Sequence, residues 1–147
     1  MTRSGSATVS LEMTTMDDTW LQESMPFAKL IGARLVAAAP EEVRGQLDWA
    51  PDRCTTASIL HGGALMAFAD TLGAICAFLN VRPGEGTSTI ESKTNFFRAV
   101  RSGTVEAVSR PLHVGRTTIV VQTDLLDDQG RRVAQVTQTQ AVLAPRA

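Results

Sequence analysis

The feature that most constrains this 147-residue chain is an apolar stretch over residues 64–81 that contains a single charged residue, Asp70. Good helix formers dominate it and no proline interrupts it, so the sequence predicts one long helix over residues 59–80. Apolar side chains point in every direction around that helix. The rest of the fold must therefore wrap around it. The carboxylate near the middle of the stretch argues against a membrane span.

Strand patterns flank the predicted helix on both sides. Two alternating segments, starting at Ala33 and Val43, precede it and are joined by a tight turn at residues 40–42. Four further strands with short turns follow it, which predicts an antiparallel meander. These four strands cover residues 87–100, 105–112, 117–126 and 133–143. The predicted fold class is α+β, with one curved antiparallel sheet wrapped around the long helix.

The N-terminal region has a different composition. Residues 1–15 are rich in Ser, Thr and Met without periodicity, which predicts a mobile arm over residues 1–16 and a single domain over residues 17–147. Asp17 and Asp18 precede apolar residues three or four apart, so a short amphipathic helix ending at Gly32 is expected. Residues such as Ile119, Val121 and Val133 are expected on the uncovered sheet face, which predicts a homo-oligomer, a dimer or a tetramer.

Composition excludes several classes of function. Fourteen Lys and Arg against fifteen Asp and Glu give a net charge of −1, so no basic field for nucleic acid is expected. Cys54 and Cys76 form no Cys-x-x-Cys motif, which indicates a reduced, intracellular protein. With two histidines no His/Cys cluster has metal-ligand spacing, so no metal is expected. The N-terminus lacks a signal-peptide pattern, and a cytoplasmic location is predicted.

The start of the long helix carries a His61-Gly62-Gly63 triplet. A helix N-terminus presents unpaired N–H groups and the positive end of the helix dipole. Glycines there let a carboxylate, a phosphate or a developing oxyanion approach the backbone closely. The alternative is structural: the glycines only permit close packing, and His61 caps the helix.

Asp70 lies in the middle of the same helix, where a carboxylate is costly unless it is paired, hydrogen-bonded or functional. It follows His61 by nine residues. At about 100° per residue the two side chains point in opposite directions, and they are about 13 Å apart along the axis. They therefore cannot share a site within one chain. In a two-fold dimer with antiparallel helices, His61 of one chain would face Asp70 of the other.

Together these segments resemble the hotdog-fold acyl-CoA thioesterases, in particular the PaaI-like branch of the phenylacetate pathway. The resemblance covers residues 31–143 and rests on the His-Gly-Gly triplet, Asp70, and segments 89–98, 113–117 and 127–131. It implies the hotdog fold, dimers joined edge to edge, and frequent tetramers. It also implies hydrolysis of a thioester to a carboxylic acid and CoA without a cofactor, since coenzyme A is part of the substrate.

The resemblance also implies roles for individual residues. The Gly62 N–H would hold the oxyanion, His61 would place the thioester near its sulfur, and Asp70 of the neighbouring chain would act as general base or nucleophile. The hydroxyl of Thr89 would help to hold the attacking water. At residue 55 the family often has an Asn that contacts the thioester carbonyl, and this chain has Thr55, whose hydroxyl donates one hydrogen bond.

Further residues are candidates for binding the substrate. Gly63 is one of the two glycines at the helix start, where a ligand can approach the backbone closely. Arg116 matches a basic position that approaches CoA phosphates in relatives of the resembled family. Arg98 is a second candidate for a positively charged contact with these phosphates. The acyl pocket is expected between the helix, the loop before it and the N-terminal amphipathic segment. Its candidate wall residues, with ordinary core as the alternative, are Phe68, Leu72, Phe96 and Phe97.

Two other functions remain open. The first is a non-catalytic hotdog protein that binds an acyl-CoA or another small ligand, which the Thr at residue 55 keeps open. The second is a hotdog hydratase or dehydratase, which Asp70 after His-Gly-Gly argues against. Aromatic, short-chain and medium-chain acyl groups are all compatible with the sequence.

Overall fold

The computed structural model describes residues 15–147. The predicted N-terminal arm therefore falls almost entirely outside the described residues. Two short 3₁₀ turns, Pro51–Arg53 and Thr56–Ser58, precede the long helix. The helices are α1 (Asp18–Ser24), α2 (Pro26–Ile31) and α3 (Gly62–Phe78). The strands are β1 (Arg34–Ala39), β2 (Glu42–Asp48), β3 (Gly86–Phe96), β4 (Thr104–Val114), β5 (Thr118–Leu126) and β6 (Arg132–Leu143).

The six strands form one antiparallel sheet, and α3 packs against one face of it. The predicted α+β layout is confirmed. α3 lies within the predicted range 59–80 but begins later, because His61 is its N-cap. Its large side chains Phe68 and Leu72 are fully buried, and each such burial contributes about 1.5–3 kcal/mol. Both residues were candidate walls of the acyl pocket with ordinary core as the alternative, and the structure places both in the core.

The strand order differs from the predicted meander. The order is β1-β2-β4-β5-β6-β3, so β3 pairs with β6 at the edge of the sheet and not with β4. The segment between β3 and β4 is too long for a tight hairpin, and its backbone is held on the other side of α3. There Val100 accepts from Leu60 N at 2.8 Å and Gly103 accepts from Trp49 N at 2.8 Å. The chain therefore crosses the start of α3 and places β4 beside β2.

The two faces of the sheet also differ from expectation. Ile119, Val121 and Val133 are fully buried in the core, so their placement on an uncovered face is wrong. Side chains alternate along a strand, and the outward residues of β5 and β6 are mostly polar. These outward residues are Val120, Gln122, Asp124, Gln135, Thr137 and Thr139. Large apolar side chains are exposed at several other places, on α2, β1, α3, β3, the second half of β4 and the end of β6.

The predicted N-terminal helix is two helices. Asp17 caps α1 by accepting a hydrogen bond from Trp20 N at 2.9 Å. Pro26 stands at the first position of α2, where a missing N–H costs nothing and the fixed φ suits a new helix. Gly32 ends α2 as predicted, with a φ of 77° that a residue without Cβ adopts freely.

An ion pair ties together the strand ends on the β1 side of the sheet. Asp48, at the end of β2, accepts two hydrogen bonds from Arg34 at 2.6 and 3.1 Å and one from Thr104 Oγ1 at 2.6 Å. The Arg34 guanidinium and then the Thr104 hydroxyl lower the pKa of Asp48 from its ordinary 3.8 to about 2. Both side chains of the pair are close to half exposed, so solvent screens the interaction.

We expect Asp48→Ala to lower the free energy of unfolding by up to about 1 kcal/mol at neutral pH, as for other exposed pairs. Because the folded pKa of Asp48 is depressed, this contribution is complete above pH 3.8 and fades as the pH falls toward about 2. Urea melts of the wild type and the variant across that range measure it. Glu41→Ala, at the exposed β1–β2 turn, is the control for removing one surface carboxylate. A difference that persists unchanged in acid would contradict this account.

Candidate active site

The start of α3 leaves one backbone donor free. The Nδ1 atom of His61 accepts from Gly63 N at 2.7 Å, and the carbonyl of His61 accepts from Ala64 N at 3.0 Å and Leu65 N at 3.3 Å. Within residues 15–147 no acceptor is in hydrogen-bonding distance of Gly62 N. The free N–H lies at the positive end of a 17-residue helix, where a developing negative charge is stabilised. Because Nδ1 accepts, a neutral His61 carries its proton on Nε2.

Neighbouring side chains lie close to both glycines. A Cβ at residue 63 would lie 2.9 Å from His61 Nδ1, so Gly63 makes room for the capping imidazole. A Cβ at residue 62 would lie 3.0 Å from Cζ of Phe96, so the Phe96 ring rests against Gly62. His61 and Gly63 thus make the capping contact that the structural alternative describes, and the free donor at Gly62 lies beside it.

A groove of about 360 Å³ opens beside Gly62. It brings together five of the predicted site residues, which are Thr55, Gly62, Phe96, Phe97 and Arg98. Leu65 and Phe97 add apolar surface, and the rings of Phe96 and Phe97 are half exposed there. The groove therefore offers a hydroxyl, a backbone N–H and a guanidinium around apolar walls.

The loop that carries Thr55 into the groove is strained. Ala57 and Ser58 both have left-handed backbone angles, with φ of 60° and 56°. Such conformations cost a non-glycine residue about 1–3 kcal/mol and persist only where the surroundings fix them. Here the isolated bridge between Cys54 and Leu60 closes the loop. The sequence gives no signal of this strain, because neither Ala nor Ser favours the left-handed region.

Asp70 is half-buried on α3 and is held by two donors. Its Oδ1 accepts from Thr89 Oγ1 on β3 at 3.1 Å and from Gln138 Nε2 on β6 at 3.1 Å. Gln140 Nε2, also on β6, donates to Thr89 Oγ1 at 2.7 Å. The structure thus brings Thr89 to Asp70, and it adds Gln138 and Gln140, which sequence reasoning missed. The sequence does contain one signal that could have pointed to them: both glutamines occupy inward-facing positions in the alternating pattern of strand 132–143, where apolar residues are expected.

The carboxylate and the free N–H lie far apart along one helix. Asp70 follows Gly62 by eight residues, which is about 12 Å along the axis of α3. Asp70 is not among the residues that line the groove beside Gly62. Within one chain the carboxylate and the free N–H therefore lie in separate places.

A second, apolar cavity of about 280 Å³ begins one helical turn beyond Asp70, which does not itself line it. Ala74 and Phe78 line it from positions one and two helical turns beyond Asp70, and Thr87 lines it from the β3 face that carries Thr89. The remaining walls come largely from the N-terminal segment that the sequence placed there. They are Met16, Trp20, Ser24, Met25 and Ile75.

Arg116 lies at the other end of the molecule. It lines a shallow cavity with Asn80, Arg82 and Glu85, near the C-terminal end of α3. Asn80 follows Gly62 by eighteen residues, which is about 27 Å along a helix. The structure does not bring Arg116 to the groove beside Gly62 of the same chain.

The two cysteines form no disulfide, and burial affects the reactivity of one of them. Burial raises the pKa of the Cys76 thiol to about 11, which suppresses the nucleophilic thiolate. Both cysteines are free.

Across residues 15–147 no group of three or more His, Cys, Asp and Glu side chains is arranged to hold a metal ion. None of the helices in that range is long and apolar enough to cross a membrane.

Comparison with known proteins identifies the family. Residues 57–134 match the model of the thioesterase superfamily. The proofreading thioesterase EntH of Cronobacter sakazakii is 38% identical over 85 residues, which is 58% of this chain and 62% of EntH. The chain thus spans less than two-thirds of that relative's length.

Solved structures agree with this assignment. A variant of the thioesterase PA1618 of Pseudomonas aeruginosa is 30% identical, with 89% of this chain and 96% of that chain covered and a TM-score of 0.82. The thioesterase HI1161 of Haemophilus influenzae is 23% identical, with 86% and 87% covered and a TM-score of 0.81, and shows the shared fold. The predicted hotdog fold is confirmed, and the chain belongs to the thioesterase superfamily, a family of thioester hydrolases.

Proposed function

We propose that this protein is an acyl-CoA thioesterase that hydrolyses the thioester of an apolar acyl group to the free carboxylic acid and CoA. The observation that carries the proposal is the unpaired Gly62 N–H at the start of α3, beside an open groove. Preorganised N–H donors of this kind stabilise the negative oxygen that forms when a nucleophile attacks a carbonyl.

In the proposed reaction a water molecule attacks the thioester carbon and Asp70 accepts its proton. The carbonyl oxygen becomes negative and is held by Gly62 N–H, and one such donor contributes about 3–4 kcal/mol in other enzymes. The carbon–sulfur bond then breaks, and the thiolate of CoA takes up the proton that Asp70 had accepted, which restores the carboxylate. His61, whose Nδ1 caps the helix, would help to place the thioester near its sulfur. Thr55 supplies a hydroxyl donor where the resembled family often has an amide.

The separation of Gly62 from Asp70 requires a site shared between two copies of the chain. The side of α3 that the sheet leaves open carries Met66, Asp70, Ala74 and Phe78, each one turn from the next, and Met66 and Phe78 are over 40% exposed. Beside it the edge strand β3 is exposed along most of its length. A two-fold partner against this surface would bring each Asp70 toward the other chain's Gly62. The proposed assembly is a homodimer or a dimer of dimers in the cytoplasm, and membership of the PaaI-like branch stays a prediction.

The proposed acyl site is the apolar cavity that starts one turn from Asp70. Its walls are almost entirely hydrocarbon and sulfur-containing side chains, with Ser24 and Thr87 as the polar exceptions. Such a cavity favours an unsubstituted aliphatic or aromatic acyl group over one that carries a charge, because a buried charge without a partner is costly. Arg98, at the groove, is a candidate contact for CoA phosphates, and Arg116 would serve only if a second copy brings it near.

The replacement of the expected Asn by Thr55 supports one alternative, a protein that binds acyl-CoA without hydrolysing it. Incubation with a panel of acyl-CoA thioesters in the presence of a thiol-reactive dye separates the two functions. The proposal predicts continuous release of free CoA. Stoichiometric binding without thiol release would establish the alternative.

Replacement of Gly62 tests the backbone donor. Gly62→Pro removes the N–H at the first helical position, where proline is tolerated, and His61 already has the extended angles that precede proline (φ −63°, ψ 134°). We expect kcat to fall by about 10²–10³-fold. Gly62→Ala is the matched control, because it meets the same Phe96 ring but keeps the N–H, and it should lose much less. Equal losses in both variants would assign the effect to packing.

Asp70→Asn tests the proposed base, because it keeps the size of the side chain and removes its basicity. We expect at least about a 10²-fold loss of kcat with little change in the melting temperature. Free thiol release and thermal melts measure the two quantities. Full turnover in Asp70→Asn would remove this carboxylate from the mechanism.

Ala74→Leu tests the acyl cavity by filling it one turn from the carboxylate. We expect kcat/KM for octanoyl-CoA or benzoyl-CoA to fall by about 10-fold or more, since overfilling a packed site excludes larger groups. Acetyl-CoA is the internal control and should be affected by less than about 2-fold. A uniform loss across all three substrates would show that the acyl group binds elsewhere.

A further inference from the structure

We propose that Gln138 is a positioning residue that fixes the orientation of the Asp70 carboxylate. Gly73, which has no side chain, leaves the space that the Gln138 amide occupies. This inference rests on the proposed function, in which Asp70 is the base. Gln138 lies on β6, is 0% exposed, and reaches across to α3, where its Nε2 donates to Asp70 Oδ1 at 3.1 Å.

Gly73 makes this contact possible. A Cβ at residue 73 would lie 2.1 Å from Gln138 Oε1 and 2.5 Å from its Cδ. The amide therefore occupies the space in which any other side chain at residue 73 would begin. A glycine in the middle of a helix is otherwise unfavourable, so its presence in α3 is explained by the glutamine that crosses it.

A second chain of hydrogen bonds reaches the same oxygen from the other side. Gln140, which is 1% exposed, donates to Thr89 Oγ1 at 2.7 Å. A hydroxyl has one hydrogen, and Thr89 directs it to Asp70 Oδ1 at 3.1 Å. Both donors thus converge on Oδ1, and in the described part of the chain no donor contacts Oδ2. The free Oδ2 is the oxygen left to accept a proton from water.

The other end of the Gln138 amide shows that the side chain is not there for packing alone. Its Oε1 is buried and finds no donor among residues 15–147. A buried acceptor without a partner destabilises a fold, and a leucine would fill the same space without that cost. The orientation of the amide follows from Asp70, because the flipped amide would turn Oε1 toward an ionised carboxylate.

Substitution of Gln138 tests the role, with kcat and KM measured by thiol release and stability by thermal melts. Gln138→Leu removes the donor, and we expect kcat to fall by about 10- to 100-fold at nearly constant KM, as expected for a misplaced catalytic group. In the Asp70→Asn background the same substitution should change residual turnover by less than about 2-fold, because there is no carboxylate left to orient. Gln122→Leu, on the outward face of β5, is the matched control and should leave kcat unchanged.

The Gly73→Ala variant separates positioning from packing. Its new Cβ displaces the amide, so we expect both kcat and the melting temperature to fall. Gly73→Ala combined with Gln138→Ala relieves the clash, so the melting temperature should recover while kcat stays low.

Three outcomes would overturn the inference. They are wild-type kcat in Gln138→Leu, equal losses in the wild-type and Asp70→Asn backgrounds, or kcat that recovers together with the melting temperature in the Gly73→Ala/Gln138→Ala variant. Full turnover in Asp70→Asn, or no turnover in the wild type, would instead overturn the proposed function and this inference with it.

Discussion

The burial of α3 against the inner face of the sheet determines where every group of the proposed site lies. Phe68 and Leu72 anchor the helix in the core, and their burial fixes its rotation as well as its position. With that rotation set, the Asp70 carboxylate reaches Thr89 on β3 and Gln138 on β6, and the helix start stands beside the loop that carries Thr55. The same packing that stabilises the domain therefore orients a backbone donor and a carboxylate.

The polar groups around Asp70 depend on this packing too. Gln138 and Gln140 project from the inner face of β6, where most neighbours are apolar, and they are accommodated because α3 passes over them at Gly73 and because β3 supplies Thr89. A small shift of the helix along the sheet would break these hydrogen bonds. The catalytic proposal and the stability of the domain are thus coupled through a few contacts between α3, β3 and β6.

Much of the fold was predictable, because the spacing of apolar residues along the sequence indicates directly whether a segment is a helix or a strand. The apolar run predicted α3, and alternation predicted the strands to within a few residues. Strand pairing was not predictable, because the period is the same whichever neighbour a strand has, and β3 turned out to pair with β6. Of the site, the triplet at residues 61–63 and the carboxylate at residue 70 stood out locally. Gln138 did not, because its partner is 68 residues away in sequence.

The central claim is that each site combines Gly62 of one chain with Asp70 of another. Its most direct test is to co-express Asp70→Asn and Gly62→Pro chains with different affinity tags and to isolate the mixed dimer. Each parent dimer should be inactive, and the mixed dimer should regain about half of the wild-type turnover, because one of its two sites is then intact. A mixed dimer as inactive as its parents would contradict a shared site.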